Sequence, residues 1–374
     1  MQVLKPKYRV EECLSEIREC LEIGWTGMGY KTVEFEDEWC KYTGCKNAHF
    51  LNSATAGLDL AIKGLASHYE WESNTEILTT SLTFVSTNHA ILYSEFTPVF
   101  VDIDLTLSMC PSDFERKITS KTKAAIFVAI GGNPGNYEEI RRICKKNNII
   151  FILDGAHCSG SYLNQIHLGA NDLISVYSFQ AVKNLPTCDG GMITTTDVQL
   201  AEKFRRLSWL GINKDTYERS NLRKGSYNWD YDVTDLGYKY HGNSVSAAIG
   251  LVQLKYLEED NQYRRQISSI YTHHLKCIDE VGLVVEPKEA INSRHLFQVL
   301  VEDREAVIQH LYKNEIFPGV HYKVNTDYKL YEKYNDQNCP VAVEVSKKIL
   351  SLPLHLGVTE VQAEQVCNLI KETL

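Results

Sequence analysis

No segment of this chain reaches the ~18 uninterrupted apolar residues that a membrane-crossing helix requires. The opening residues, MQVLKPKYRVEECLSEI, also lack the apolar stretch of a secretory signal. The expectation is a cytoplasmic protein with no membrane association. Lysine and arginine form no runs, and 39 of them stand against 48 acidic residues, a formal net charge of −9. Such a surface offers nothing to a phosphate backbone, so no nucleic-acid partner is expected. The eleven cysteines are scattered, odd in number and never spaced Cys-x-x-Cys. That pattern points away from a disulfide framework and from a metal site, and leaves them as reduced, partly buried small hydrophobes. Low-complexity tracts and internal repeats are absent too. So is the Gly-x-Gly-x-x-Gly turn after an apolar strand, because Gly131, Gly132 and Gly135 have another spacing. This counts against a nicotinamide-dependent oxidoreductase.

The 374 residues are 44% hydrophobic and 23% charged, which suits a globular chain with a substantial core and about two domains. Short apolar runs alternate with amphipathic stretches. AGLDLAIKGLA (56–66) has helical spacing; EILTT (76–80) reads as a strand, STNHAILYS (86–94) as a helix, and PVFVDI (98–103) and AAIFVAI (124–130) as strands. NYEEIRRICKKN (136–147) follows as a helix and IIFILD (149–154) as a strand. Strands without polar alternation imply a mainly parallel sheet covered on both faces, where ligands sit beyond the carboxyl ends of the strands. From about residue 246 a long helical run leads to strand-like LVVEP (283–287) and HLFQVLV (295–301), then to a helix at 305–315 and a closing helix near 359–373. The expected organisation is a large α/β domain, residues 1–245, followed by a smaller α/β domain, residues 246–374.

Three groups of residues fall at expected strand ends. Asn52-Ser53-Ala54-Thr55-Ala56-Gly57-Leu58 enters a helix, whose free amides and positive dipole end favour an anion, although an ordinary helix cap has the same composition. Asp154 closes a strongly apolar strand and is followed at three residues by His157. A carboxylate there is costly to ionise without a cationic partner, unless it simply caps a helix. In ISVYSFQAVKNLPTCDGGMITT (174–195) an apolar strand breaks at Ser178, Lys183 follows five residues later, and a second apolar run begins after Asp-Gly-Gly. A lysine desolvated in such a crossing tends toward the neutral amine that can form a Schiff base; alone, a solvated surface lysine is the ordinary reading.

A phosphate nest, an aspartate for a pyridinium and a lysine for an imine are the parts a pyridoxal phosphate enzyme needs. In this order they make the chain resemble, over nearly its whole length, the DegT/DnrJ/EryC1/StrS family of sugar aminotransferases of fold type I. The matching segments are GWTGMGYKTVEFEDEW (24–39), NSATAGL (52–58), TFVSTNHAILYSEFTPVFVDID (83–104), DGAHCSGS (154–161), SFQAVKNLPTCDGG (178–191), LGYKYHGNSVSAAIGLVQL (236–254), GVHYK (319–323) and SLPLHLGVTE (351–360).

The resemblance implies that Lys183 is the Schiff-base lysine and proton shuttle, and that Asp154 pairs with the pyridine nitrogen of pyridoxal 5'-phosphate. It implies that His157 lies near the phenolic oxygen of the ring, Phe84 stacks on the ring face, and Thr55, Ala56 and Ser178 contact the phosphate. The neighbouring subunit of a homodimer is implied to complete that phosphate site from Lys239 or His241. Trp25, Thr26, His321 and Tyr322 match segments lining the substrate cleft, with Lys31, Lys239 or Lys323 as sources of a local positive field. The implied reaction moves an amino group from glutamate, or glutamine, to a nucleotide-linked ketosugar. A 4-keto-6-deoxyhexose comes first, in amino-sugar biosynthesis for surface polysaccharide or glycoconjugates, and a 3-keto sugar or a non-nucleotide ketone second. Relatives that dehydrate sugars carry histidine at the position of Lys183, and a non-catalytic regulatory protein would be expected to lose Asp154 or Lys183 or to add a DNA-binding domain. The chain departs from the commoner pattern at Gln180 (often histidine), Cys188 (glycine or alanine), Lys239 (asparagine), His241 (arginine or asparagine), Val324 (proline) and Thr326 (histidine).

Overall fold

A computed structural model describes residues 1–213 and 231–374. In chain order the strands are β1 (Asn47–Leu51), β2 (Glu76–Thr80), β3 (Thr97–Val101), β4 (Thr122–Val128), β5 (Ile150–Asp154), β6 (Tyr162–Leu163), β7 (Ile166–His167), β8 (Ile174–Ser178) and β9 (Gly191–Thr195). The later strands are β10 (Val281–Leu283), β11 (Ala290–Ile291), β12 (Phe297–Val301) and β13 (Ile349–Leu352). A seven-stranded sheet has the order β1-β9-β8-β5-β4-β2-β3. Neighbours from β8 to β3 pair in parallel, while β9 runs against both β1 and β8.

The unbroken apolar runs explain this layer. Successive side chains of a strand point to opposite faces, so a strand apolar throughout must be covered twice. Ala125, Phe127, Phe151, Leu153 and Tyr177 enter one core, and Ala124, Ile126, Ile152, Ile174 and Val176 the other. Full burial of one such large apolar side chain contributes roughly 1.5–3 kcal/mol. Each face thus carries enough apolar area to hold helices against it. The parallel strands all end on one edge of the sheet. Because β9 runs the other way, it begins there, with Gly191 beside both Leu51 and Ser178.

A second, antiparallel sheet, β10-β12-β13, carries a third core that includes Ile267, Tyr271, Val299, Leu350 and Val366. A third, β11-β6-β7, ties it to the segment after β5. The first residues join this C-terminal layer: Gln2 bridges to Phe317, and Val3 O accepts from the Leu354 amide at 2.9 Å. The helical run expected to be continuous from 246 is broken, into helices Ser244–Lys255 and Leu257–Leu275. Between them Tyr256 closes a tight turn onto Gln253 O, with its hydroxyl on Glu12 and the Arg9 guanidinium 4.2 Å over its ring. Among the described residues no helix is long and apolar enough to cross a membrane, and no group of His, Cys, Asp and Glu could hold a metal ion.

Candidate active site

Beyond the carboxyl edge of the large sheet lies a cavity of about 380 Å³, lined among others by Ser53, Ala54, Thr55, Phe84, Asp154, His157, Ser178, Lys183, His295, His321 and Tyr322. Lys183 comes from the twelve-residue crossing between β8 and β9. Both ends of that crossing are pinned: Ser178 sits opposite Gly191, and the Phe179 amide donates to Gly190 O at 2.9 Å. Phe179 and Leu185 anchor it in the core, both fully buried. Lys183 is part-buried and lines the cavity. Burial pulls its amine down from 10.5 to about 8, against the attraction of Asp154.

Asp154 ends β5, one strand away. Thr87 Oγ1 donates to its Oδ2 at 2.7 Å and the Ala156 amide to its Oδ1 at 3.1 Å. Burial raises its pKa, while Thr87, the Ala156 amide and the Lys183 charge oppose that rise. The result is a buried carboxylate suited to a cationic partner. Thr87 is a site residue that sequence reading missed, one of several polar residues at the start of the helix Val85–Tyr93.

At the third corner Ser53 caps the helix Ala54–His68, its Oγ accepting from the Ala56 amide at 3.1 Å. The Ala56 amide, expected at the anion, is therefore occupied. The amides of Ala54 and Thr55 have no acceptor among the described residues, and these two, with Ser53 and the buried Ser178, face the cavity. Phe84 is 57% exposed, which excludes the core role ordinary for a phenylalanine. His157 takes the Gly131 amide on Nδ1 at 3.0 Å, so its proton sits on Nε2, 3.4 Å from the Tyr322 hydroxyl. His321 is fixed by Ser351 at 2.8 Å and pushed down to about 4 by burial and the Lys183 charge.

Trp25, Thr26, Lys31, Lys239 and His241 stand apart from this cavity. Trp25 packs its indole over Gly29, donating to Met28 O at 2.8 Å; a Cβ on Gly29 would meet the ring at 1.8 Å. The Thr26 carbonyl accepts from the Ser244 amide at 3.2 Å. Lys239 and His241 flank Tyr240 on the outer side of β1: Lys239 O accepts from Asn52 Nδ2, and His241 bridges to Leu51. Both lie next to the capped helix start without lining the cavity of their own chain. Lys31 is 6% exposed and tied to Glu16, Glu19 and Glu34 at 2.7, 3.3 and 3.4 Å, so its charge is engaged by three partly exposed carboxylates outside the cavity. Cys188 adopts φ = 73°, a conformation that favours glycine.

The donor set fits pyridoxal phosphate: an amine near neutrality, a buried carboxylate, an open helix start with hydroxyls for a phosphate, and an exposed aromatic face. The family model of the DegT/DnrJ/EryC1/StrS aminotransferases matches residues 7–371. The chain belongs to this family. It is a pyridoxal-phosphate-dependent aminotransferase of fold type I. Among solved members, the aminotransferase TlmJ from Streptoalloteichus hindustanus is similar at 27% identity and a TM-score of 0.91, covering 100% of this chain and 98% of its own. The sugar aminotransferase CalS13 from Micromonospora echinospora shares 26% identity with a TM-score of 0.90, over 100% and 99% of the two chains. DesV from S. venezuelae, solved in complex with a ketimine intermediate, shares 25% with a TM-score of 0.88, over 97% and 94%. His295 in the wall of this aminotransferase site, and Asn184 behind it, carry no spacing signal that would have singled them out.

Proposed function

We propose that this aminotransferase moves an amino group from glutamate, or glutamine, to a nucleotide-linked ketosugar, with a 4-keto-6-deoxyhexose as the leading substrate class, in amino-sugar biosynthesis for surface polysaccharide or glycoconjugates. The observation that carries the reading is the Lys183 amine sharing one cavity with the buried Asp154 carboxylate. When bound, pyridoxal phosphate supplies the electron sink that lets a carbon–hydrogen bond beside nitrogen give up its proton. Lys183 Nζ holds the cofactor at rest and, when released, carries the proton to and from the substrate carbon. Asp154 keeps the ring nitrogen protonated. The amides of Ala54 and Thr55, with the Ser53 and Ser178 hydroxyls, take the phosphate. Phe84 covers one ring face, and the Nε2–H of His157 serves the phenolic oxygen.

His321 and Tyr322 form the sugar-facing wall, brought against residues of the large sheet by the C-terminal layer. The division into a cofactor-holding domain, 1–245, and a smaller domain, 246–374, is part of this reading. The places of Lys239 and His241, outside their own cavity, support a homodimer in which each chain completes its partner's phosphate site; Trp25 and Thr26 then line the shared cleft. The test is spectroscopic. Protein loaded with the cofactor should show the yellow absorbance of a lysine-bound form, lose it on addition of glutamate, and recover it with one of a panel of nucleotide ketosugars. An unchanged spectrum in Lys183→Ala refutes the assignment of the lysine. A wild-type spectrum that no amino donor alters refutes the transfer reaction.

A further inference from the structure

Lys183 Nζ lies 3.5 Å from His295 Nε2, a long contact that a small rotation about the terminal lysine bonds shortens. On the far side of the imidazole, Nδ1 is 3.1 Å from Asn184 Oδ1. Asn184 cannot present its other end, because its amino group is committed twice, to Asn261 Oδ1 at 2.7 Å and Ser293 O at 2.8 Å. Asn261 is held in turn by Ser159 O at 2.8 Å and by Arg264 at 3.2 Å. Asn184, Asn261 and His295 are all buried. The chain of donors therefore places a proton on Nδ1 of His295 and leaves Nε2 as a bare lone pair facing the lysine.

We propose that His295 is a positioning residue for the reaction: its Nε2 accepts a hydrogen bond from the Lys183 amine and holds that amine in place whenever it is not attached to the cofactor. The inference rests on Lys183 being the reactive amine. The groups acting on Lys183 are Asp154, Cys158, His157, His321 and His295, and those acting on His295 also include Arg264. Burial and the surrounding positive charges keep His295 well below its ordinary range, so it remains a neutral acceptor. A rigid acceptor restricts a lysine otherwise free about four bonds, and proton transfer then starts from one geometry.

Two variants separate this role from simple packing. His295→Phe keeps a ring beside His157 but removes the acceptor, whereas His295→Gln restores a polar group near the Nε2 position. In cofactor-free protein, the titration of Lys183 is read by NMR after reductive methylation with labelled formaldehyde. Loss of an acceptor for the ammonium form should lower the amine pKa by about half a unit to one unit in His295→Phe, and His295→Gln should recover most of that shift. A merely structural loss admits water and raises the value toward that of an ordinary lysine, which overturns the proposal, as does no change. In the loaded enzyme, kcat should fall about tenfold in His295→Phe with the sugar KM unchanged. If His295→Phe does not fold, nitrogen NMR of wild-type protein decides: a proton found on Nε2 rather than Nδ1 refutes the inference. An unchanged cofactor spectrum in Lys183→Ala would instead bring down the reading on which it rests.

Discussion

A neutral side chain in place of Lys183 should stabilise the cofactor-free protein at neutral pH. The amine is pulled from 10.5 to about 8, and each unit is worth about 1.36 kcal/mol. The native state therefore carries a penalty of up to about 3 kcal/mol for holding this group charged, net of the attraction of Asp154; the opening to the cavity reduces it to about 1–3 kcal/mol. Lys183→Met keeps the length and removes the charge. Between pH 8 and 10.5 the unfolded chain binds more protons at this position than the native one, so wild-type stability rises with pH across that window. The variant lacks this rise. The expected result of urea unfolding on cofactor-free protein is a variant more stable at pH 7, with the gap closing by about pH 10.5. A variant less stable at pH 7, or a gap independent of pH, would refute a desolvated lysine. The same substitution removes a favourable charge from Asp154, whose carboxyl should protonate more readily as a result.

Thr87→Val removes the 2.7 Å donor to Asp154 and should cost about 1.5–3 kcal/mol at neutral pH. The Asp154 pKa, already raised, should climb further, so the stability the protonated carboxyl contributes in the variant is fully present below the unfolded value and is lost as pH rises through the higher native value, and the deficit against wild type grows with pH. Melting of Thr87→Val and Thr87→Ser at pH 5 and pH 8 checks this; a loss in the valine variant that does not grow with pH contradicts it. Lys31→Met should destabilise by about 1–3 kcal/mol by leaving three glutamates around a lost buried cation. Denaturant unfolding measures that loss, and an unchanged KM for an anionic sugar nucleotide would show that Lys31 plays no part in the cleft.

Most of the large sheet was legible in the sequence because its strands are apolar without alternation, and EILTT at 76–80 is recovered as β2 residue for residue. The helix break at Tyr256 was not, because contacts to Arg9 and Glu12, far away in the chain, set the bend. At the site, Lys183, Asp154 and Ser178 were legible because strand ends carry them into one place. His295 was hidden: it precedes an ordinary strand, and its importance comes from a chain of amides distributed over four separate segments. Ala56 shows the limit from the other side. Composition marked an amide-rich helix start, but only the Ser53 cap decides which amides remain open.

Asp154 ends β5, and Lys183 follows β8 by five residues; β8 and β5 are adjacent rungs whose spacing is that of a hydrogen-bonded sheet. His295, His321 and Tyr322 reach the same cavity from the C-terminal half. The spacing between β8 and β5 is thus insulated from sliding between the layers, whereas the wall formed by His295, His321 and Tyr322 is not. On the reading proposed above, substitutions at His321 and Tyr322 re-aim the enzyme toward another ketone, whereas His295, which faces the Lys183 amine from the same layer, has to stay in place, so redesign of the substrate range begins at His321 and Tyr322 alone.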